Sequence, residues 1–350
     1  MFRIFIIIFL CLLSALNMYS ISKTVGEHIF IKHICVLGAS VLIIIILRSF
    51  DLERLSLFIY TVGIILLFIS YFFGAEFFGA KRWVYAGFFT VQPSEISKVS
   101  TIFGLSYILR NGISIRTFLL SVLMASIPFI LIFRQPDLGS SLSILFISGC
   151  LLLSAGLKIR VASVIVLLVV IASPFIWNQM KDYQKKRVLT MLNPEQDILG
   201  SGYQTTQAKI AVGSGGLFGV GFTRGVHGKL WWIPNMYSDF VFSVFAEEWG
   251  LIFSVLIILL YLTLVLLLIL SSYRKYLLQD FYSLSFIVGS ASLIFFHSFV
   301  NISMVLGLMP VVGIPLTFIS YAGTHNISAA VLLGVSENCI RRRKKNYELL

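Results

Sequence analysis

Apolar residues run through this chain in long continuous blocks, with little alternation of apolar and polar positions. Ten blocks, at about 4–21, 30–47, 55–74, 93–109, 117–133, 138–156, 161–177, 239–271, 282–304 and 316–336, are read as helices that cross a bilayer, a crossing that takes about 20 apolar residues. Backbone in hydrocarbon must satisfy its own hydrogen bonds, so helices or a closed barrel are the choices. Continuous runs without a period of two predict helices. The predicted fold is therefore all-α, a polytopic membrane protein with about ten transmembrane helices in one membrane domain over residues 1–350. Most connections are short. The long one lies between the seventh and eighth helices, at about 178–238. It holds an amphiphilic stretch, Tyr203–Val212, a glycine-dense segment from Gly213 to Gly228, and Trp231-Trp232-Ile233-Pro234. Two tryptophans in such a loop suit a membrane interface.

Composition agrees. The chain is 58% hydrophobic and 12% charged, with mean hydropathy +0.95, which excludes a soluble domain of this size. The first block follows Arg3 like a secretory leader, but Ser14-Ala15-Leu16 is a weak cleavage site, so an uncleaved first helix is expected. With the N-terminus inside, the inner segments carry Arg3, Arg48, Arg54, Arg110, Arg116, Lys158, Arg160, Arg274, Lys275 and the run Arg341–Lys345. The short outer loops carry only Lys23, Lys81, Arg82 and Arg134. The bias of basic residues places both termini in the cytoplasm and the long loop outside. The net charge of +12 is then a topology signal, and nucleic acid is not an expected partner. Cys11, Cys35, Cys150 and Cys339 form no CxxC pair and read as small apolar fillers.

Carboxylates recur at the outer helix ends. The fourth helix opens Gln92-Pro93-Ser94-Glu95, the sixth Gln135-Pro136-Asp137, and the eighth Ser238-Asp239. Proline suits the first helical position, which puts Glu95 near the third and Asp137 near the second. Each acid there meets orphan N–H groups and the positive end of the helix dipole, so capping alone accounts for any one of them. Three on one side, with Lys81, Arg82 and Arg134 at the same level and Lys98 about one turn deeper, suggest more. Lys98 is one turn past Glu95 on the same face, and the two are expected to pair. Helix N-termini and basic side chains bind phosphate; carboxylates act as bases or hold a divalent cation. An enzyme working on a lipid phosphate, a flippase or transporter of such a lipid, and a non-catalytic scaffold all fit this layer. Clustering on one side favours the enzyme, because a translocation path needs polar groups through the whole depth. Glu247, eight residues beyond Asp239, is expected to support a network, and His28, His33, His227, His297 and His325 show no ligand spacing.

Several blocks are familiar. Phe78–Trp83, Gln92–Lys98, Gln135–Gly139, Asn193-Pro194-Glu195, Gly200–Tyr203, Gln207–Ala211 with Gly213–Gly216, Ser238-Asp239-Phe240, Ala246–Gly250, Pro310–Pro315 and Ile319-Ser320-Tyr321 resemble the SEDS family (shape, elongation, division and sporulation). The resemblance covers most of the chain after residue 75 and is closest to the elongation branch, with the division branch the near alternative. It implies a bacterial inner (plasma) membrane enzyme, an inverting peptidoglycan glycosyltransferase that polymerises lipid II. Its active site faces outside. The implied partners are a class B penicillin-binding protein transpeptidase and the membrane proteins of the elongation complex. Asp239 becomes the candidate base or cation holder, and Arg82 and Lys98 the candidates for the pyrophosphate, with Lys81 and Arg134 behind them. Trp83 would line the sugar or lipid entrance, Glu95 would partner Lys98, and Asp137 would hold a cation or the loop. No organic cofactor is implied; a divalent cation, magnesium or manganese, would take Asp239 and Asp137 as its candidate ligands. Two departures stand out: Tyr237-Ser238 replaces the family's usual His-Thr, and Ser320-Tyr321-Ala322-Gly323-Thr324 replaces Ser-Tyr-Gly-Gly-Ser. Any role that needs an imidazole before Asp239 is lost.

Overall fold

The computed structural model describes residues 2–77, 80–86, 89–180, 182–193, 197, 200–226 and 233–342. The stretches Phe78-Gly79, Pro194-Glu195, His227–Trp232 and Arg343–Lys345, read above from sequence, lie outside the described residues.

Each predicted crossing falls on a helix: α1 Phe2–Val25, α2 Glu27–Leu47, α3 Ser56–Phe73, α4 Pro93–Ile108, α5 Ile115–Arg134, α6 Leu138–Ser154 and α7 Ile159–Gln179. Among the described residues the long loop holds two helices, α8 Asp182–Leu192 and α9 Ser201–Ser214. The series closes with α10 Val241–Leu277, α11 Phe281–Val305 and α12 Gly323–Arg341. Among the described residues, six helices are long and apolar enough on their own to cross a membrane.

The outer surface carries large apolar side chains, and many small polar ones share the interior with the apolar core. Phe58, Phe72, Phe73, Leu119 and Leu270 are exposed, while Ser14, Ser56, Ser97, Ser100, Thr101, Ser106 and Ser143 are buried. Lipid tails are as apolar as leucine, so helices in a bilayer gain by close approach through small residues, with large apolar side chains facing outward. Many of the buried hydroxyls donate back to their own helix: Ser100 to the Ser97 carbonyl at 3.0 Å, Thr101 to Ser97 at 2.8 Å, and Ser148 to Ile144 at 2.7 Å.

The chain divides into two compact units. The second comprises Ala39–Ser163, Val265–Ile294 and Ile327–Leu350. Its most buried helix is α4, gripped on several sides by glycine contacts. A Cβ on Gly63 of α3 would lie 2.0 Å from the Ser100 hydroxyl, and one on Gly289 of α11 would lie 2.9 Å from Ile102. Tyr60 of α3 donates to the Met124 carbonyl of α5 at 2.8 Å. Between α3 and α4 lies a small antiparallel sheet that the apolar blocks did not reveal: β1 Ala75–Phe77, β2 Ala80–Ala86 and β3 Phe89–Val91, in the order β1-β2-β3. Ala75 pairs with Trp83, and Val84 with Val91. Strands this short carry too few alternations to register as a period.

The first unit comprises Met1–Gly38, Val164–Leu264 and Phe295–Asn326. Here α10 is broken at Gly250, whose φ of 78° leaves the helical region. The glycine-dense segment docks on that break. Val220 and Gly221 N–H donate to the Glu247 and Glu248 carbonyls at 3.0 and 3.1 Å; Leu251 and Ile252 N–H donate to the Gly216 and Leu217 carbonyls at 2.9 and 3.3 Å. An interrupted helix is tolerated at membrane depth only where protein takes up the freed backbone groups, and this segment takes them up. The glycines allow contact between two backbones: a Cβ on Gly215 or Gly219 would lie 2.1 Å from the Ala246 or Glu248 carbonyl oxygen.

Two helix starts differ from expectation. The eighth crossing begins at Val241, so Asp239 stands in the preceding turn and does not open the helix. The tenth begins at Gly323 instead of about 316, because Phe318 stands at φ 65°, outside the helical region. Leu316, Phe318 and Ile319 are apolar because they are buried in a loop.

Candidate active site

In the first unit the turn that carries Asp239 is held by its backbone. Asn235, at φ 56°, turns the chain, a conformation asparagine tolerates better than most residues. Its carbonyl accepts from the N–H of Ser238, Asp239 and Phe240 at 3.1, 3.1 and 3.3 Å. The carbonyls that follow are then taken one by one by other segments. Tyr237 accepts from Tyr321 N–H at 2.8 Å. Ser238 accepts from the Ser320 hydroxyl at 2.5 Å. Asp239 accepts from Asn301 Nδ2 at 2.9 Å. Val241 accepts from Asn17 Nδ2 at 3.4 Å. Four neighbouring carbonyls thus fix one turn from α1, α11 and the loop before α12.

That loop is itself braced. The buried Asn301 gives its second N–H to the Ile314 carbonyl at 2.7 Å. Ser320 Oγ accepts from Leu316 N–H at 2.8 Å. Asn326 accepts from Phe318 N–H at 2.8 Å and donates to the Ser320 carbonyl at 3.0 Å. Tyr261 donates to the Thr317 carbonyl. Phe318, fully buried at φ 65°, is kept in a conformation that costs about 1–3 kcal/mol by this bracing. Gly313 faces the carboxylate: a Cβ there would lie 3.6 Å from Asp239 Oδ2. Asp239 is half-buried and Gly313 exposed, so the carboxylate stands at an opening with its backbone immobilised. Preorganised placement of this kind is what a group that meets a reacting atom needs.

Glu247 and Glu248 are buried further along α10 and serve the docked segment. Glu247 accepts from Val226 N–H at 2.8 Å, and Glu248 from the Ser20 hydroxyl at 2.5 Å. Sequence reasoning did not single out Asn301 and Asn17, and it read Ser320 only as part of a motif, without the bond it gives the turn. Asn301 and Asn17 are amides inside apolar blocks, and buried polar groups there signal a partner.

The second unit carries the other candidates. Glu95 is the third residue of α4, with Pro93 at the start and Gln92 as the cap. Lys98 Nζ donates to Glu95 Oε1 at 2.7 Å, and both are buried. The expected pair is present. Asp137 lies one position before α6 and accepts from Ser140 N–H at 3.1 Å. It is therefore the helix cap, where the sequence reading had it inside the first turn. Gln135 beside it donates to the Ser70 hydroxyl at 2.9 Å, tying this corner to the end of α3. Arg134 ends α5 exposed, and Trp83 is half-buried in β2. Lys81 and Arg82 lie in β2 with their side chains outside the described residues.

Magnesium and manganese demand several oxygen ligands. At Asp239 the neighbouring carbonyls of Tyr237, Ser238 and Asp239 are spent on protein donors. Asp137 spends an oxygen on its cap. The Asp239 carboxylate would be this turn's side-chain ligand to such an ion, which commonly takes one or two carboxylates and completes its shell with water and substrate phosphate.

A family model described as "Cell cycle protein", covering FtsW, RodA and SpoVE, matches residues 1–345. The peptidoglycan glycosyltransferase MrdB of Escherichia coli strain K12 is 35% identical over 291 residues, 82% of this chain and 78% of that protein. The probable peptidoglycan glycosyltransferase FtsW of Coxiella burnetii is 33% identical over 319 residues, 88% of this chain and 85% of its own. Among solved structures, one described as "Structural coordination of polymerization and crosslinking by a peptidoglycan synthase complex" is similar with TM-score 0.81 at 26% identity, covering 98% of both chains. The crystal structure of Thermus thermophilus rod shape determining protein RodA is similar with TM-score 0.73 at 25% identity, covering 98% of this chain and 97% of that one.

Proposed function

The chain belongs to the FtsW, RodA and SpoVE family of cell cycle proteins, and from that membership we infer that it is a bacterial membrane peptidoglycan glycosyltransferase that polymerises lipid II, most like the elongation branch. The observation that carries the site assignment is the Asp239 turn, whose carbonyls are held from three separate segments while the carboxylate stands at an opening.

In the proposed reaction a hydroxyl of the acceptor sugar attacks the anomeric carbon of a donor carried on undecaprenyl pyrophosphate. The new C–O bond forms as the bond to the pyrophosphate oxygen breaks, with inversion. The hydroxyl proton passes to the Asp239 carboxylate, and the pyrophosphate leaves as an anion. Because Asp239 stands in the turn ahead of α10, it is less exposed to the dipole of that helix than a first-turn residue would be. That favours its use as a base, since the dipole acts within the first turn. Arg82 and Lys98, with Lys81 and Arg134, are assigned the charge of the leaving group, and Trp83 the entrance. Both termini are placed in the cytoplasm and the site outside. A class B penicillin-binding protein is the assigned crosslinking partner, and residues 1–350 are assigned to one membrane domain made of the two compact units.

The test is lipid II polymerisation by the purified full chain in detergent, alone and with its transpeptidase. Glycan strands from the wild type and a loss of at least about a hundred-fold in Asp239→Asn are expected. Normal polymerisation by Asp239→Asn sinks the assignment, and movement of labelled lipid between leaflets without polymer identifies a flippase.

A further inference from the structure

Among the described residues, three buried histidines, His33, His297 and His325, are unused by this mechanism. His33 of α2 is 1% exposed. Its Nε2 lies 2.7 Å from Ser14 Oγ of α1, and Ser14 Oγ donates to the Ile319 carbonyl at 3.1 Å. Serine has one hydroxyl hydrogen and a carbonyl only accepts. With that hydrogen on the Ile319 carbonyl, Ser14 accepts from His33, and the relay uses the tautomer that carries its proton on Nε2. Nδ1 has no hydrogen-bond partner among the described residues.

The relay ends beside the Asp239 turn. Ile319 precedes Ser320, whose hydroxyl holds the Ser238 carbonyl, and Tyr321, whose N–H holds the Tyr237 carbonyl. Ring contacts follow the same route. His33 and Tyr321 have centroids 6.2 Å apart, and Tyr321 meets Tyr237 edge-on at 5.9 Å. Ser14 is fully buried, so a mere filler at either position would satisfy packing without a polar link.

We propose that His33 is a positioning residue for Asp239, acting through Ser14 and the Ile319–Tyr321 backbone. The inference rests on the glycosyltransferase reading for its kinetic test, and a second measurement frees it from that reading. His33→Phe keeps a ring against Tyr321 and removes the donor. Its kcat for lipid II polymerisation is expected to fall about ten-fold or more with KM within about two-fold, since small misplacements near a reacting group cost rate and not affinity. His33→Gln, which places an N–H where Nε2 stands, restores kcat. Ser14→Ala matches His33→Phe, and the double variant is no worse than either, because both break one relay. Independent losses that multiply, or a His33→Phe enzyme with wild-type kcat, overturn the proposal. So does a loss that only follows a drop in the amount of folded protein, with no rescue by glutamine.

The measurement without catalysis uses Asp239→Cys in a Cys35→Ser background. His33→Phe is expected to change the maleimide labelling rate at position 239 by about three-fold or more, as loosened support moves a positioned group. An unchanged rate overturns the proposal even if the chain makes no glycan. If wild type makes none, or Asp239→Asn polymerises, the glycosyltransferase reading fails while the labelling result still decides for or against His33.

Discussion

Asn301 shows how much one side chain can decide. Its amide spends both hydrogens on carbonyls of two different segments, Asp239 and Ile314. Leucine has nearly the same size and no donor. Asn301→Leu leaves both carbonyls without that bond, at about 1–3 kcal/mol for each one that stays unsatisfied. A lower melting temperature in detergent and a fall in kcat larger than any change in KM are expected; a variant with wild-type kcat removes Asn301 from the positioning set. Glu95 and Lys98 pose a different question. Breaking one partner of a buried ion pair costs about 3–5 kcal/mol, so Glu95→Gln and Lys98→Met should both unfold at lower temperature. The swapped Glu95→Lys, Lys98→Glu chain should regain stability without regaining polymerisation if Lys98 meets the substrate. Recovery of polymerisation in the swap would leave the pair a structural role alone.

At the scale of elements, the broken helix and its docked loop behave as one object. The freed carbonyls and N–H groups around Gly250 are bonded to the segment that follows α9. Glycines of the same segment differ sharply in what surrounds them. A Cβ on Gly219, at φ 82°, meets the Glu248 carbonyl at 2.1 Å, whereas one on Gly213 meets nothing within 4 Å. Gly219→Ala is expected to destabilise by about 2 kcal/mol or more, combining a strained backbone with a clash. Gly213→Ala, inside helix α9, should be neutral or stabilising by about 0.5–1 kcal/mol. Thermal unfolding of the two purified variants checks the contrast. Similar melting temperatures would mean that the loop does not dock on α10 as described.

For the whole molecule, the governing fact is that lipid replaces water as the solvent of the outer surface. Large apolar residues face out, and small polar ones are buried among the apolar core. Ser100→Leu, which enlarges a fully buried side chain packed where Gly63 leaves no room even for a Cβ, should abolish folded protein on size-exclusion in detergent, while Leu119→Phe on an exposed face should not. The ten crossings and the all-α class were legible from the sequence because twenty apolar residues in a row have few other fates. The Glu95–Lys98 pair was legible for the same reason that Asp239 was singled out as a candidate, since charge in a bilayer demands an explanation. The branch of chemistry came from ordered motifs, and family membership carries it. Tertiary structure alone decided that Asp239 precedes α10, that Asp137 caps α6, and that the glycines serve a helix break. It also decided that Asn17, Asn301 and Ser320 hold the turn. Those facts depend on hydrogen bonds between segments up to more than two hundred residues apart, as from Asn17 to Val241, and apolar periodicity along a chain records only which face is buried, never which partner it meets.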